Sequence, residues 1–198
     1  MTRRELIQKT SLALGYTLSG PALMGLMGGC ELKHSLSFTP SFFTAEQAIL
    51  ISDLAEIILP RTKTPGAKDV GVPAFIDAFI NEVYSEDAKN KLIEGLNKFN
   101  EGTREKYFRL FTECTSDSQI LYVKELHHDA FKNAGTVSEG WWASNKGDMP
   151  FILKIKELTL LGFFSSEAGA TQVLQYNPAP GPFQGCVPLK KVGKAWST

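Results

Sequence analysis

Residue types that carry chemistry are scarce in this chain, which has three cysteines and three histidines among 198 residues. So few cysteines exclude a disulfide-dense scaffold, and no Cys-x-x-Cys-His run offers covalent haem attachment. Gly-x-Gly-x-x-Gly, Gly-x-x-x-x-Gly-Lys and Gly-x-Ser-x-Gly patterns are also missing, which removes the usual signatures of a dinucleotide fold, a phosphate loop and a serine nucleophile elbow. No cofactor is therefore expected in this chain. Charge of one sign is absent too: Lys plus Arg equals Asp plus Glu at 21 each, so no global field favours nucleic acid. His34 stands alone, and His127 and His128 are adjacent. Neighbouring helical side chains diverge by about 100°, so these two do not form the i, i+4 pair that grips a metal from one helix face. Convincing strand-length alternation is missing as well, and the expected class is all-α.

What is present begins with an address label. Arg3 and Arg4 precede an uncharged stretch from Thr10 to Gly29, broken by Gly15, Gly20, Pro21 and Gly25 and followed by Cys30. Paired arginines before a mildly hydrophobic, glycine-bearing segment fit a twin-arginine export signal, a route used by proteins that fold before crossing the membrane. The small pair Gly28-Gly29 before Cys30 resembles a lipobox, with Met27 in place of the usual leucine. Cys30 would then become an acylated N-terminus, and the expected location is the periplasmic side of the cell envelope, held by lipid. An uncleaved membrane anchor is the alternative; the length of about 20 residues suffices, while the glycines and proline argue against it. With Cys30 lipidated, Cys114 and Cys186 form an even pair, either one disulfide or two separate thiols.

Residues 1–29 are thus read as signal, 30–43 as a lipid-anchored tether and 44–198 as one helical domain of about six helices with an extended Pro/Gly-rich C-terminal arm. Thr44 and Gln47 make a capping box before Leu50, Ile51, Leu54, Ile57 and Ile58 at helical spacing, with an end near Leu59 before Pro60. Pro73 suits the first turn of a second helix, and Ser85 caps a third carrying Leu92, Leu96 and Phe99. Gly102 is read as the close of that third helix. A fourth is expected from Thr103 to about Cys114, a fifth from Ser116 or Asp117 through Phe131, and a sixth from Pro150 through Phe164. Asn133 to Asp148, with Gly135, Gly140, Trp141, Trp142 and Gly147, reads as a long loop. The proline-rich run from Asn177 to Phe183 continues through Pro188 to Trp196 as an extended arm, which either packs on its own helices or embraces another chain.

Four segments, taken together and in order, resemble the gluconate 2-dehydrogenase subunit 3 family. They are Glu56-Ile57-Ile58-Leu59-Pro60-Arg61-Thr62-Lys63-Thr64-Pro65-Gly66-Ala67, then Gly71-Val72-Pro73-Ala74-Phe75-Ile76-Asp77, then Lys156 to Glu167, and Pro180-Gly181-Pro182-Phe183-Gln184-Gly185-Cys186-Val187-Pro188-Leu189. The resemblance implies a noncatalytic small subunit beside a large FAD-dependent flavoprotein of the glucose-methanol-choline type, often with a cytochrome subunit carrying haem. It also implies a role in maturation and export of that flavoprotein. Pro60, Arg61, Thr62 and Pro65 of the first segment, Trp141 and Trp142 of the long loop, and Pro182 and Phe183 of the arm are the expected partner contacts. Paired aromatics and stiff prolines supply buried area at low entropic cost. The competing reading is an autonomous envelope lipoprotein that binds a ligand or acts as a hydrolase, for which a deep polar pocket with convergent acids would be the sign.

Overall fold

The computed structural model describes residues 36–133, 149–176, 181–182 and 185–197, all within a compact unit spanning Leu36–Thr198. Five substantial helices occur among them: α1 (Ala45–Ile58), α2 (Val72–Val83), α3 (Glu86–Tyr107), α4 (Ser116–Asn133) and α5 (Phe151–Ser165). A short α6 (Leu189–Val192) lies in the C-terminal arm. No strand occurs among the described residues, and the class is all-α.

The helix α5 forms the centre, with α1, α2, α3 and α4 packed around it. Its buried residues Ile152, Ile155, Leu158, Thr159, Gly162 and Phe163 recur at helical spacing as one broad stripe, the face the helix buries against its neighbours. Thr159 is tolerated there because its hydroxyl donates to Ile155 O at 2.7 Å. Gly162 admits a neighbour: a Cβ at that position would lie 2.5 Å from Cδ1 of Phe75 on α2. The third family-like segment therefore offers a notch that the second fills.

Local signals set the helix starts. Thr44 Oγ1 accepts from Gln47 N at 3.3 Å while Gln47 Oε1 accepts from Thr44 N at 3.0 Å, completing the expected capping box. Pro73 lies in the first turn of α2, and Ser85 Oγ accepts from Ala88 N at 3.4 Å to start α3.

Gly102 is where the sequence expectation fails. Instead of closing α3, it lies inside a 22-residue helix that runs on to Tyr107. A Cβ at Gly102 would meet Tyr122 Oη at 2.4 Å, and that hydroxyl donates to Phe99 O at 3.1 Å. The glycine makes room for a tyrosine of α4; it is a packing residue, and no separate helix runs from Thr103 to Cys114. Phe108 ends α3 instead, in the left-handed region at φ 56°, and residues 111–113 form one 3-10 turn.

Residues 36–43, read from sequence as part of the tether, join the core. Phe43 is buried, and Leu36, Phe38 and Phe42 pack against the cluster. The arm also contains more order than its prolines suggest. Gln175 N donates to Ala195 O at 2.8 Å and Ser197 N to Gln175 O at 3.1 Å, so the end of the chain returns to the turn that follows α5.

Candidate functional site

The loop from Leu59 to Gly71 is built around two carboxylates. Glu56, on the last turns of α1, accepts from Arg61 N at 3.0 Å through Oε1 and from Lys68 N at 2.9 Å through Oε2. Asp69 Oδ2 accepts from Gly66 N at 2.8 Å and from Arg61 Nε at 2.6 Å, while Arg61 Nη2 also pairs with its Oδ1. Ala67 N donates to Leu59 O at 2.9 Å and Val72 N to Ala67 O at 3.1 Å, so the loop closes on itself before α2 begins. Gly66 is required by approach: a Cβ there would come within 2.5 Å of Glu56 Oε1 and 2.6 Å of Arg61 N. Lys68 adds an ion pair with Asp53 on α1 at 2.7 Å.

This scaffold presents Pro60, Arg61 and Thr62 to solvent and leaves Pro65 half-buried. Arg61 is held by its fork to Asp69 rather than swinging freely, which lowers the entropy lost if a partner covers it. Pro182 is exposed, whereas Trp141, Trp142 and Phe183 lie outside the described residues, as do Arg3, Arg4 and Cys30. No hydrogen bond or ion pair among the described residues joins the loop to the arm, so the two candidate contact regions are separately supported.

Asp77, on α2, was not foreseen as special. It is 2% exposed and accepts from four donors that precede α1: Ser41 N and Ser41 Oγ, both at 2.6 Å, Phe42 N at 3.1 Å and Phe43 N at 2.9 Å. Burial alone would push its carboxyl up; the bonds from Phe43, Ser41 and Phe42 outweigh that and hold it below the ordinary aspartate value. Its sequence signal was its place beside Ile76, between Pro73 and Ile80, on the apolar face of α2.

Cys114 and Cys186 are separate thiols in this structure. Cys114 is half-buried and its Sγ donates to Leu110 O at 3.3 Å; burial pushes the thiol up, with Arg109 opposing. Such a thiol is a poor nucleophile. Cys186 is exposed in the arm. Between α4 and α5, Lys156 donates to His127 Nε2 at 2.8 Å; burial and the adjacent ammonium lower the imidazole's affinity for a proton. His127 therefore acts as a neutral acceptor here. Among the described residues no group of three or more His, Cys, Asp or Glu side chains could hold a metal ion, and no helix is long and apolar enough to cross a membrane.

A family model described as gluconate 2-dehydrogenase subunit 3 matches residues 45–181, more than half of the chain. The chain belongs to this family. The match takes in the first three resembling segments and reaches only the start of the fourth. Comparison with curated proteins and with solved structures finds no match. As a subunit 3 family member, the chain is a component of a dehydrogenase complex. Several contacts inside the matched region are architectural: Glu56 and Gly66 shape the loop, Asp77 clamps residues 41–43, and Gly162 receives Phe75.

Proposed function

We propose that this chain is a noncatalytic accessory subunit that binds a folded FAD-dependent dehydrogenase of the glucose-methanol-choline type, acting on a sugar or sugar acid. It assists maturation of that flavoprotein, carries it through twin-arginine export and holds it at the periplasmic face of the membrane through lipidated Cys30. FAD belongs to the partner, and haem to a cytochrome subunit where the complex has one. The family match over residues 45–181 carries this reading. The Arg3-Arg4 label, the lipobox-like Met27-Gly28-Gly29-Cys30 and the lack of cofactor motifs in the sequence support it. The rigid loop at Pro60, Arg61 and Thr62 suits a docking element.

Coexpression with the cognate flavoprotein tests the role. With the native chain the flavoprotein should reach the envelope with bound FAD; with Arg3→Lys and Arg4→Lys together it should remain in the cytoplasm. Equal export with the doubly substituted chain, or with no chain at all, would refute it. Cys30→Ala should release the exported complex from the membrane without blocking export. Trp141→Ala and Phe183→Ala should each weaken copurification, by about 2 kcal/mol if either is a central anchor.

A further inference from the structure

The first turns of α5 carry a lysine in an unusual setting. Lys154 is the fourth residue of the helix and is only 3% exposed. Its ammonium lies 5.4 Å from the centre of the Tyr84 ring, and no carboxylate among the described residues is within 4 Å of it. Glu157 offers attraction from farther away, Lys91 opposes, and burial dominates, lowering the lysine's affinity for its proton. The positive end of the α5 dipole adds to the cost of a cation at this position. A methionine would fill the same volume without desolvating a charge.

Lys154 also lines a cavity of about 300 Å³ between α3 and the start of α5, together with Lys91, Glu94, Gly95, Lys98 and Phe151. Of the eight residues that line it, three are cationic and one is anionic. Lys91 pairs with Asp87 at 3.2 Å and Lys98 with Glu94 at 2.6 Å; both pairs are surface contacts along α3, easily exchanged for another anion. The buried cation, the rim lysines and the helix end all favour negative charge at one place.

We propose that this pocket binds a small soluble oxyanion, a phosphate or carboxylate group, with Lys154 as the buried contact and Lys91 and Lys98 at the rim. The arrangement supplies what an oxyanion needs: a desolvated ammonium, a helix N-terminus and two exposed cations at the rim. Glu94 is the internal competitor that occupies Lys98 until the anion arrives. The proposal is independent of the export role and of any dehydrogenase partner.

Calorimetric titration of the full chain with inorganic phosphate, and separately with succinate, tests it at constant ionic strength. Saturable one-to-one binding is expected for at least one of them, and which one binds separates a phosphate from a carboxylate site. Lys154→Met should weaken that binding by roughly tenfold or more, the loss of one charge-assisted contact. It should leave the ligand-free melting temperature unchanged or higher. The exposed pair Lys91→Gln with Lys98→Gln, which leaves the core untouched, should weaken binding by roughly threefold or more. Absence of saturable binding for both probes would overturn the proposal. So would equal affinity in the Lys154→Met chain or, should that variant not fold, in the Lys91→Gln, Lys98→Gln chain.

Discussion

The chain turns between α1 and α2 and again between α3 and α4, and the two joints are closed by largely different means. In the first, residues 59–71, backbone N–H groups of Arg61, Gly66 and Lys68 end on the carboxylates of Glu56 and Asp69. Across α2, Asp77 treats the N–H groups of residues 41–43 in the same way. In the second, residues 108–115, one apolar side chain does most of the closing, and a single exposed carboxylate assists: Glu113 Oε2 accepts from Leu110 N at 3.0 Å. Phe111 is fully buried, its ring 4.9 Å from that of Phe99, and Gln119 Nε2 caps its carbonyl at 2.7 Å. A carboxylate can satisfy several donors at once and so fixes loop shape; a phenyl ring fixes only depth. The first joint should therefore be shape-specific and acid-sensitive, and the second should answer mainly to volume.

The strongest break of this contrast is Phe111→Ala. Removing a fully buried ring leaves a cavity between α3 and α4, and a loss of about 3–5 kcal/mol is expected in urea unfolding. The loss should depend only weakly on pH, since the ring carries no charge and the joint's one carboxylate, Glu113, is exposed. A large pH dependence would show that the second joint also relies on charge.

Gly66→Ala is the matching test of the first joint. The new Cβ collides with a backbone nitrogen, Arg61 N at 2.6 Å, as well as with the Glu56 carboxylate; the main chain must move. A loss of about 2–3 kcal/mol is expected from overpacking and displaced hydrogen bonds. Wild-type stability in the alanine variant would mean that the loop is softer than its bonds imply.

Asp77→Asn keeps the shape and removes the charge, and about 2 kcal/mol should be lost near neutral pH. The sign of the pH effect follows from the lowered folded-state value. The unfolded chain takes up the proton first as pH falls, so the stabilisation is complete above the ordinary aspartate range near pH 4 and disappears as pH drops through the folded value. Wild type and variant should therefore converge in acid. A constant gap between them in urea melts down to about pH 2 would contradict a charge-based clamp.

These residues also mark how far the sequence could be read. Helix starts at Thr44 and Ser85 were legible because a cap and its N–H partner lie three residues apart. Asp77 was half-legible: a carboxylate on an apolar stripe calls for donors, yet its partners are more than thirty residues away in the chain. Gly102 misled because glycine serves two purposes, and only the approach of Tyr122 from another helix distinguishes a packing notch from a terminus. The exposed loop at Pro60, Arg61 and Thr62 is legible in its turn chemistry and in the family-like segment, but the Glu56 and Asp69 bonds that hold it are not. Lys154 carries a signal too, as a lysine set among Ile152, Leu153 and Ile155, but the cavity beside it is a property of the packed fold.

Phe108→Gly has the smallest expected effect and probes the weakest part of the second joint. Phe108 combines φ 56° with 90% exposure, so its ring adds almost no burial while its Cβ bears the left-handed penalty of about 1 kcal/mol or more. Glycine removes that penalty and gives back part of it through the freer unfolded chain. A net gain of about 0.5–1 kcal/mol is expected, visible as a small rise in melting temperature. The sequence supplied no glycine or asparagine where α3 had to end, and the main chain turns there regardless, because Phe111 must reach the core three residues later. If glycine destabilises instead, the bulky residue at 108 is restricting the unfolded chain more than it strains the folded one, and the second joint depends on backbone stiffness as well as on its buried ring.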